Sequence, residues 1–419
     1  MYLFGSSNLR VILGALLLSV LALYSAHAQE PIKIGFSMAL TGPLAANGKA
    51  AVLAMQMWAE DVNTKGGLLG RPVKLIYYDD QTNPSNVPAL YAKLLDVDKV
   101  DLVVSGYGTN VTAPAMPIIM GRKKVFIGLF GIAINEQFKY NRFFQIQPLG
   151  PNPKESQIAG YLDAAMTMDP KPKTLALVGA DAEYPQVTMV GARELAKKYG
   201  LQIVYDRFYP PNLADFSSIV RSIQATNPDI IYVASYPPDS VGILRAALEQ
   251  NLRTRMFGGG MIGVPFAFFK QQFGSKMNGL VYFNMYAPER TMKFPGVEEF
   301  IRRYQERAPA AGVDPLGYYL PPFAYAALQV LGEAVTKTNG LDQQAIAEYI
   351  HKNKISTVVG DIEFGPNGDW HEPRVIWTQA QGIESNNIEE FKKEGKEVIV
   401  APEKYQTGKL QYPWSDIKR

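Results

Sequence analysis

The chain has 419 residues, a formal net charge of +3 and 47% hydrophobic residues. That is apolar material for two domains of ordinary size, and too even a charge balance for a polyanionic partner such as nucleic acid. Cysteine is absent, which excludes disulfides, thiol nucleophiles, cysteine-type zinc sites and a lipidated N-terminal cysteine.

Residues 1–28 read as an export signal. Arg10 precedes the apolar run Val11–Leu23, and Ala26-His27-Ala28 supplies a small-x-small cleavage pattern before Gln29. The run is short for a membrane span, and no later segment is apolar enough to be one. The mature protein is expected outside the cytoplasm, where nucleotide cofactors are scarce.

Ile32–Phe36 is a predicted strand, followed by a helix over Asn47–Thr64 with Val52, Met55, Trp58, Ala59 and Val62 on one face. Lys65-Gly66-Gly67 ends it. Strands follow at Val73–Tyr78, Leu102–Ser105, Val125–Ile127 and Phe143–Ile146, with a helix over Pro84–Leu95. After Pro148-Leu149-Gly150-Pro151 the rhythm begins again. Helices are expected at Lys154–Met168, Pro185–Tyr199, Asp215–Ala225 and Ser240–Gln250, with strands at Thr174–Val178, Ile203–Phe208, Ile230–Ala234 and Leu280–Asn284. Helices over Pro295–Arg307, Phe323–Lys337 and Gln343–Lys352 follow, then strand-like Thr357–Phe364 and Val375–Thr378. The tail from Glu384 is polar and is expected on the surface. Two α/β lobes of similar build, each a parallel sheet covered on both faces, are therefore expected.

The sequence lacks a G-x-S-x-G elbow, an H-E-x-x-H helix and paired His or Cys ligands. Asp79-Asp80 ends a strand and reads as a strand end with a cap. His371 reads as a surface histidine. No metal and no cofactor are expected, and a secreted hydrolase or lyase would need scattered carboxylates.

More informative is Asp101–Thr112, DLVVSGYGTNVT. It reads as a buried strand, a glycine turn and a helix start, with Thr109 or Asn110 as cap. A helix N-terminus carries unpaired N–H groups and is a natural anion seat. An ordinary capped helix would give the same local pattern. Gly106-Tyr107-Gly108 matches the opening of a dinucleotide fingerprint, but Val111 holds the third glycine's place. Tyr107, Thr109, Phe130, Tyr184, Tyr236 and Gly260 all fall at strand C-terminal ends, the edge where open α/β sheets bind ligands. Split between two lobes, they suggest a ligand enclosed by hinge closure.

From about Ile32 to Trp377 the chain resembles the periplasmic solute-binding proteins of ABC transporters, in the branch of the leucine/isoleucine/valine-binding protein. The resemblance is carried by IKIGFSMALTGPLAANGKA, DVNTKGGLLGRPVKLIYYDDQTNPSNV, TNVTAPAMPI, DFSSIVRSIQATNPDIIYVASYPPD, AYAALQVL and TVVGDIEFGPNGD. It implies the type I periplasmic binding fold, two doubly wound parallel-sheet lobes joined by a three-strand hinge near Pro148, Phe283 and Gly360, with the ligand cleft between them. The implied lobes are 29–148 with 284–359, and 149–283 with 360–384, leaving 385–419 as a surface tail. It implies an exported, periplasmic monomer whose partners are a small ligand and a membrane permease.

The resemblance also carries site positions. Thr109, flanked by Tyr107 and Gly108, matches the hydroxyl that holds a ligand carboxylate. Phe130, Gly131 and Ile132 match a second position, where amino-acid binders have a hydroxyl that is missing here. Gly258–Met261 matches the place of the acid that clamps the ligand amine, and neither Gly260 nor Met261 supplies one. Tyr184 and Tyr236 match pocket aromatics of the second lobe, Tyr319 or Leu320 one of the first, and Asn47 a first-loop contact. The departures imply a carboxylate ligand with an apolar or aromatic body and no α-amino group. The alternatives are an amino acid or amide, with Asp181, Glu183 or Asp239 as the acid, and, in a different class, a ligand-sensing receptor domain.

Overall fold

Two parallel sheets organise the chain in the computed structural model, which describes residues 30–210 and 213–419. The expected export signal and its cleavage point at Ala28/Gln29 lie outside the described residues. The first lobe is built from β1 (Ile32–Met38), α1 (Ala45–Thr64), β2 (Val73–Asp79), α2 (Val87–Asp96), β3 (Leu102–Tyr107), α3 (Thr109–Gly121), β4 (Phe126–Leu129), α4 (Ile134–Phe138) and β5 (Phe143–Gln145). Its strands run parallel in the order β2-β1-β3-β4-β5, with Ile34 opposite both Leu75 and Leu102. Each buried strand is an apolar run because both of its faces are covered.

The second lobe begins with α5 (Pro153–Ala165) and continues through β6 (Thr174–Ala180), α6 (Glu183–Lys198), β7 (Gln202–Tyr209), α7 (Ser217–Ala225), β8 (Ile230–Ser235), α8 (Pro237–Glu249), β9 (Met256–Met261), α9 (Ala267–Phe273) and β10 (Val281–Asn284). The chain then returns to the first lobe with α10 (Val297–Ala311), α11 (Pro321–Thr338), α12 (Gln343–Lys352), β11 (Ile355–Thr357) and β12 (Gly360–Ile362), and ends in the second with β13 (Ile376–Ala380) and β14 (Glu397–Ala401). The second sheet has the order β14-β13-β10-β9-β8-β6-β7, parallel from β7 to β10 and antiparallel at β13 and β14. The architecture is therefore doubly wound α/β in both lobes.

Helices cover each sheet on two sides. In the first lobe α1 packs on α11 over one face and α2 on α3 over the other. Trp58 and Met55 of α1 are buried with Leu328 and Val335 of α11, while Tyr91, Leu94 and Ile119 line the opposite layer. In the second lobe α5 packs on α6, and α7 on α8. Each such fully buried large side chain contributes roughly 1.5–3 kcal/mol through removal from water.

The structure moves two expected boundaries. Residues 360–372, assigned from the resemblance to the second lobe, pack on the first. Gln145 N–H donates to Gly368 O at 2.8 Å, and Asn135 Nδ2 donates to Asn367 O at 2.7 Å. The third crossing falls instead at 373–375, where Arg374 N–H meets Pro148 O at 2.8 Å in the first crossing. The second correction concerns 385–419, which is not a surface tail. It supplies β14, and Trp414 is buried against Phe257 with ring centroids 5.0 Å apart. Strand-like Thr357–Phe364 is a small antiparallel hairpin, β11-β12, because Gly360 turns the chain at a positive φ of 87°.

Candidate functional site

At the C-terminal edge of the first sheet, β3 runs on to Tyr107, two residues beyond the expected strand end at Ser105. Gly108 is the N-cap of α3 and takes φ +101°, a conformation that side chains other than glycine rarely adopt. Neither Thr109 nor Asn110 caps the helix. The N–H groups of Thr109 and Asn110 open the helix and have no intrahelical acceptor. The Thr109 hydroxyl accepts Ile132 N–H at 3.1 Å, which leaves its own proton free to donate.

The turn after β4 faces the same space. Phe130 holds φ +62°, strained for an aromatic residue, and Gln145 fixes it there. Gln145 Oε1 accepts Phe130 N–H at 3.1 Å, and its Nε2 donates to Gly131 O. The Phe130 ring stands 5.3 Å from both Tyr319 and Phe323, centroid to centroid. The hydroxyls of Tyr107 and Tyr319 are 3.1 Å apart. From the second lobe come Tyr184, in the first turn of α6, and Tyr236, the N-cap of α8, their rings 6.0 Å apart.

These elements meet around an inner cavity of ≈ 20 Å³, about the room of one water. Tyr107, Gly108, Thr109, Phe130, Ile132, Tyr184, Tyr236 and Tyr319 line it. Four expected residues do not. Gly260 lies inside β9, where its carbonyl accepts the Tyr184 hydroxyl at 2.9 Å and a Cβ would stand 2.4 Å from that hydroxyl. Met261, next along the strand, points to the opposite face and is fully buried in the α7/α8 layer. Gly131 sits behind Phe130 and offers its carbonyl to Gln145. Asn47 is fully buried within α1, close to the Tyr107 phenol but without a hydrogen bond.

Leu44, Gln147 and Ile262 also line the cavity and were not anticipated, and Asn110 lines it beside Thr109. Asn110 is signalled by the T-N pair at the helix start. Gln147 carries no local pattern, because the first crossing alone brings it there.

Among the described residues no Asp, Glu, Lys or Arg lines the inner cavity. Burial pushes the phenols of Tyr107, Tyr184, Tyr236 and Tyr319 up, so they act as neutral hydrogen-bonding groups. Charges begin outside. A groove of ≈ 500 Å³ between Pro43, Pro84, Leu213 and Pro238 shares Leu44, Asn110 and Tyr236 with the cavity lining. A second, of ≈ 310 Å³, shares Thr109 and Ile132 with it. Glu183 lines both grooves, and burial raises its carboxyl. Asp239 lines the larger one; burial raises it although it accepts the Tyr209 hydroxyl at 3.1 Å. Asp181 is exposed and holds Gln186 Nε2 at 2.7 Å. None of the three reaches the inner cavity.

The Asp79-Asp80 pair is spent on its own loop. Asp79 accepts the N–H groups of Leu40, Thr41 and Gln81 and the Thr41 hydroxyl, and Asp80 those of Thr82 N–H and Ser37 Oγ. Among the described residues no group of three or more His, Cys, Asp or Glu is placed to hold a metal ion.

A family model for periplasmic binding proteins matches residues 31–381. An amino acid binding protein of Pseudomonas aeruginosa is 26% identical over 365 residues, covering 85% of this chain and 92% of its own. Two solved structures share the fold. A branched-chain amino acid transporter substrate binding protein of Streptococcus pneumoniae, in complex with isoleucine, has TM-score 0.71 and 17% identity, with 92% of this chain and all of that one covered. A solute binding protein of an ABC transporter from R. palustris, in complex with 4-hydroxybenzoate, has TM-score 0.72 and 18% identity, with 93% and 100% covered.

Proposed function

This chain belongs to the family of periplasmic binding proteins, and we propose that it captures a small carboxylate with an apolar or aromatic body and no α-amino group, for delivery to an ABC importer. One observation carries the ligand class. The cavity offers Thr109 Oγ1 and a helix N-terminus to an anion, while its lining among the described residues offers no carboxylate to an ammonium. An ammonium enclosed without a counter-charge loses several kcal/mol of hydration with little in return. A carboxylate at Thr109 gains charge-assisted hydrogen bonds and the helix dipole. The aromatic lining suits a planar or branched body. One relative is named an amino acid binding protein, and solved structures of the fold hold isoleucine or 4-hydroxybenzoate, so the fold accommodates either class.

In this reading the protein is an exported, periplasmic monomer that closes on its ligand, hands it to a membrane permease and does not transform it. Mass spectrometry after long incubation should return a bound acid unchanged, and product in molar excess over protein would indicate an enzyme. Calorimetric titration of leucine against its des-amino analogue 4-methylpentanoate tests the ligand class. The analogue is expected to bind more tightly, and a clear preference for leucine would refute the amine-free reading in favour of an amino acid held through Glu183 or Asp239 at the cleft mouth.

A further inference from the structure

Gln147 and Gln157 form a buried pair beside the inner cavity. Gln147 belongs to the first crossing and lines the cavity; Gln157 belongs to α5. They are 2% and 0% exposed. Gln147 Nε2 donates to Gln157 Oε1 at 3.2 Å, which leaves Gln147 Oε1 and Gln157 Nε2 without partners. A buried amide atom left unpaired is costly, and native interiors satisfy almost all of them. The space that Gln147 faces is the cavity, whose ≈ 20 Å³ admits one water or one ligand atom group.

The chemistry of the missing partner follows from the amide pair. Turning both amides over preserves the bond between them and exchanges the unpaired carbonyl oxygen of Gln147 for an unpaired NH₂. A hydroxyl satisfies either arrangement, because it both donates and accepts. An ammonium donates only and would find no counter-charge. The Tyr107, Tyr184 and Tyr319 phenols around the cavity are equally neutral.

We infer that Gln147, backed by Gln157, reads a hydroxyl on the ligand, so that the substrate class is a hydroxylated aromatic or apolar acid. This rests on the carboxylate reading of the Thr109 end. Gln147 thereby sets specificity from the hinge, while Thr109 holds the common anionic group.

Calorimetric titration with 3- and 4-hydroxybenzoate, and with their methyl analogues 3- and 4-methylbenzoate, tests this on the unaltered protein and on Gln147→Met. A methyl group fills the space of a hydroxyl without hydrogen bonding. The unaltered protein should bind at least one hydroxy acid about tenfold more tightly than its methyl partner, and Gln147→Met should abolish that preference while keeping the methylbenzoate affinity. Equal affinity within both pairs would mean that an ordered water alone serves the amide, and would overturn the inference. So would an equal loss for hydroxy and methyl ligands in Gln147→Met. If the variant does not fold, the comparison on the unaltered protein decides alone. If none of the four acids binds, this inference is overturned, and titration with 4-methylpentanoate decides separately whether the carboxylate reading stands.

Discussion

Replacing Thr109 by valine keeps the side chain's shape and removes one hydroxyl. That hydroxyl has two duties. It accepts Ile132 N–H at 3.1 Å within the protein, and its proton is free for a ligand carboxylate. A hydrogen bond to a charged group is worth about 1.5–3 kcal/mol, so Thr109→Val should weaken a carboxylate ligand by roughly tenfold to a hundredfold. The lost acceptor adds an effect in the free protein, since Ile132 N–H becomes an unpaired buried donor at a cost of about 1–3 kcal/mol. Thr109→Ser retains the hydroxyl and should retain both functions. Titration calorimetry with benzoate and 4-methylpentanoate reads the first effect, and urea denaturation of the free protein reads the second. The reasoning is refuted if valine leaves affinity unchanged, or if serine loses as much as valine.

Three further outcomes concern stability. Burial, with Glu136 nearby, raises the Asp369 carboxyl to about 7. Its folded pKa lies above the unfolded value, so its contribution is full below about pH 4 and is lost as pH rises to about 7. Asp369→Asn should therefore stabilise the protein at pH 8 and not at pH 4, seen as a higher urea midpoint at pH 8 only. Lys270 and Glu397 form a fully buried pair at 2.7 Å, so Lys270→Met should cost about 3–5 kcal/mol in the same assay, and adding Glu397→Gln should restore part of it. Trp414→Ala should cost about 3–5 kcal/mol, whereas a tail merely lying on the surface would tolerate it within about 0.5 kcal/mol.

The β-α alternation was legible because both faces of each sheet are covered, so that strands appear as short apolar runs such as Leu102-Val103-Val104. The site turn was legible for the same reason, as the run breaks at glycine. The last strand was not. Glu397–Ala401 follows the charged stretch Lys392–Lys396, and only its pairing with β13 buries it. Gly260 and Met261 were misplaced because the glycine run looks like a loop, whereas its residues continue β9. Gln147 was invisible because a lone glutamine has no periodicity, and its burial is created by the meeting of the lobes.

What the structure adds to the residue list is the way each half of the site is held. On one side Tyr107 meets Tyr319, Thr109 meets Ile132, and Phe130 packs on Phe323, all within the first lobe. On the other, Tyr184 is fixed by the Gly260 carbonyl and stands beside Tyr236, within the second. The two halves also touch, because Tyr319 packs on Phe266 and Phe283 of the second lobe, with ring centroids 5.7 Å apart in both pairs. Gln145 joins the first half to the hinge. Its Oε1 accepts Phe130 N–H and also Gln147 N–H, at 3.1 and 3.2 Å, and its own N–H rests on Gly368 O. The strain at Phe130, of order 1–3 kcal/mol for such a backbone, persists because this side chain over-determines the turn. The ring that shapes the ligand's space and the segment along which the lobes are joined therefore share one buried anchor.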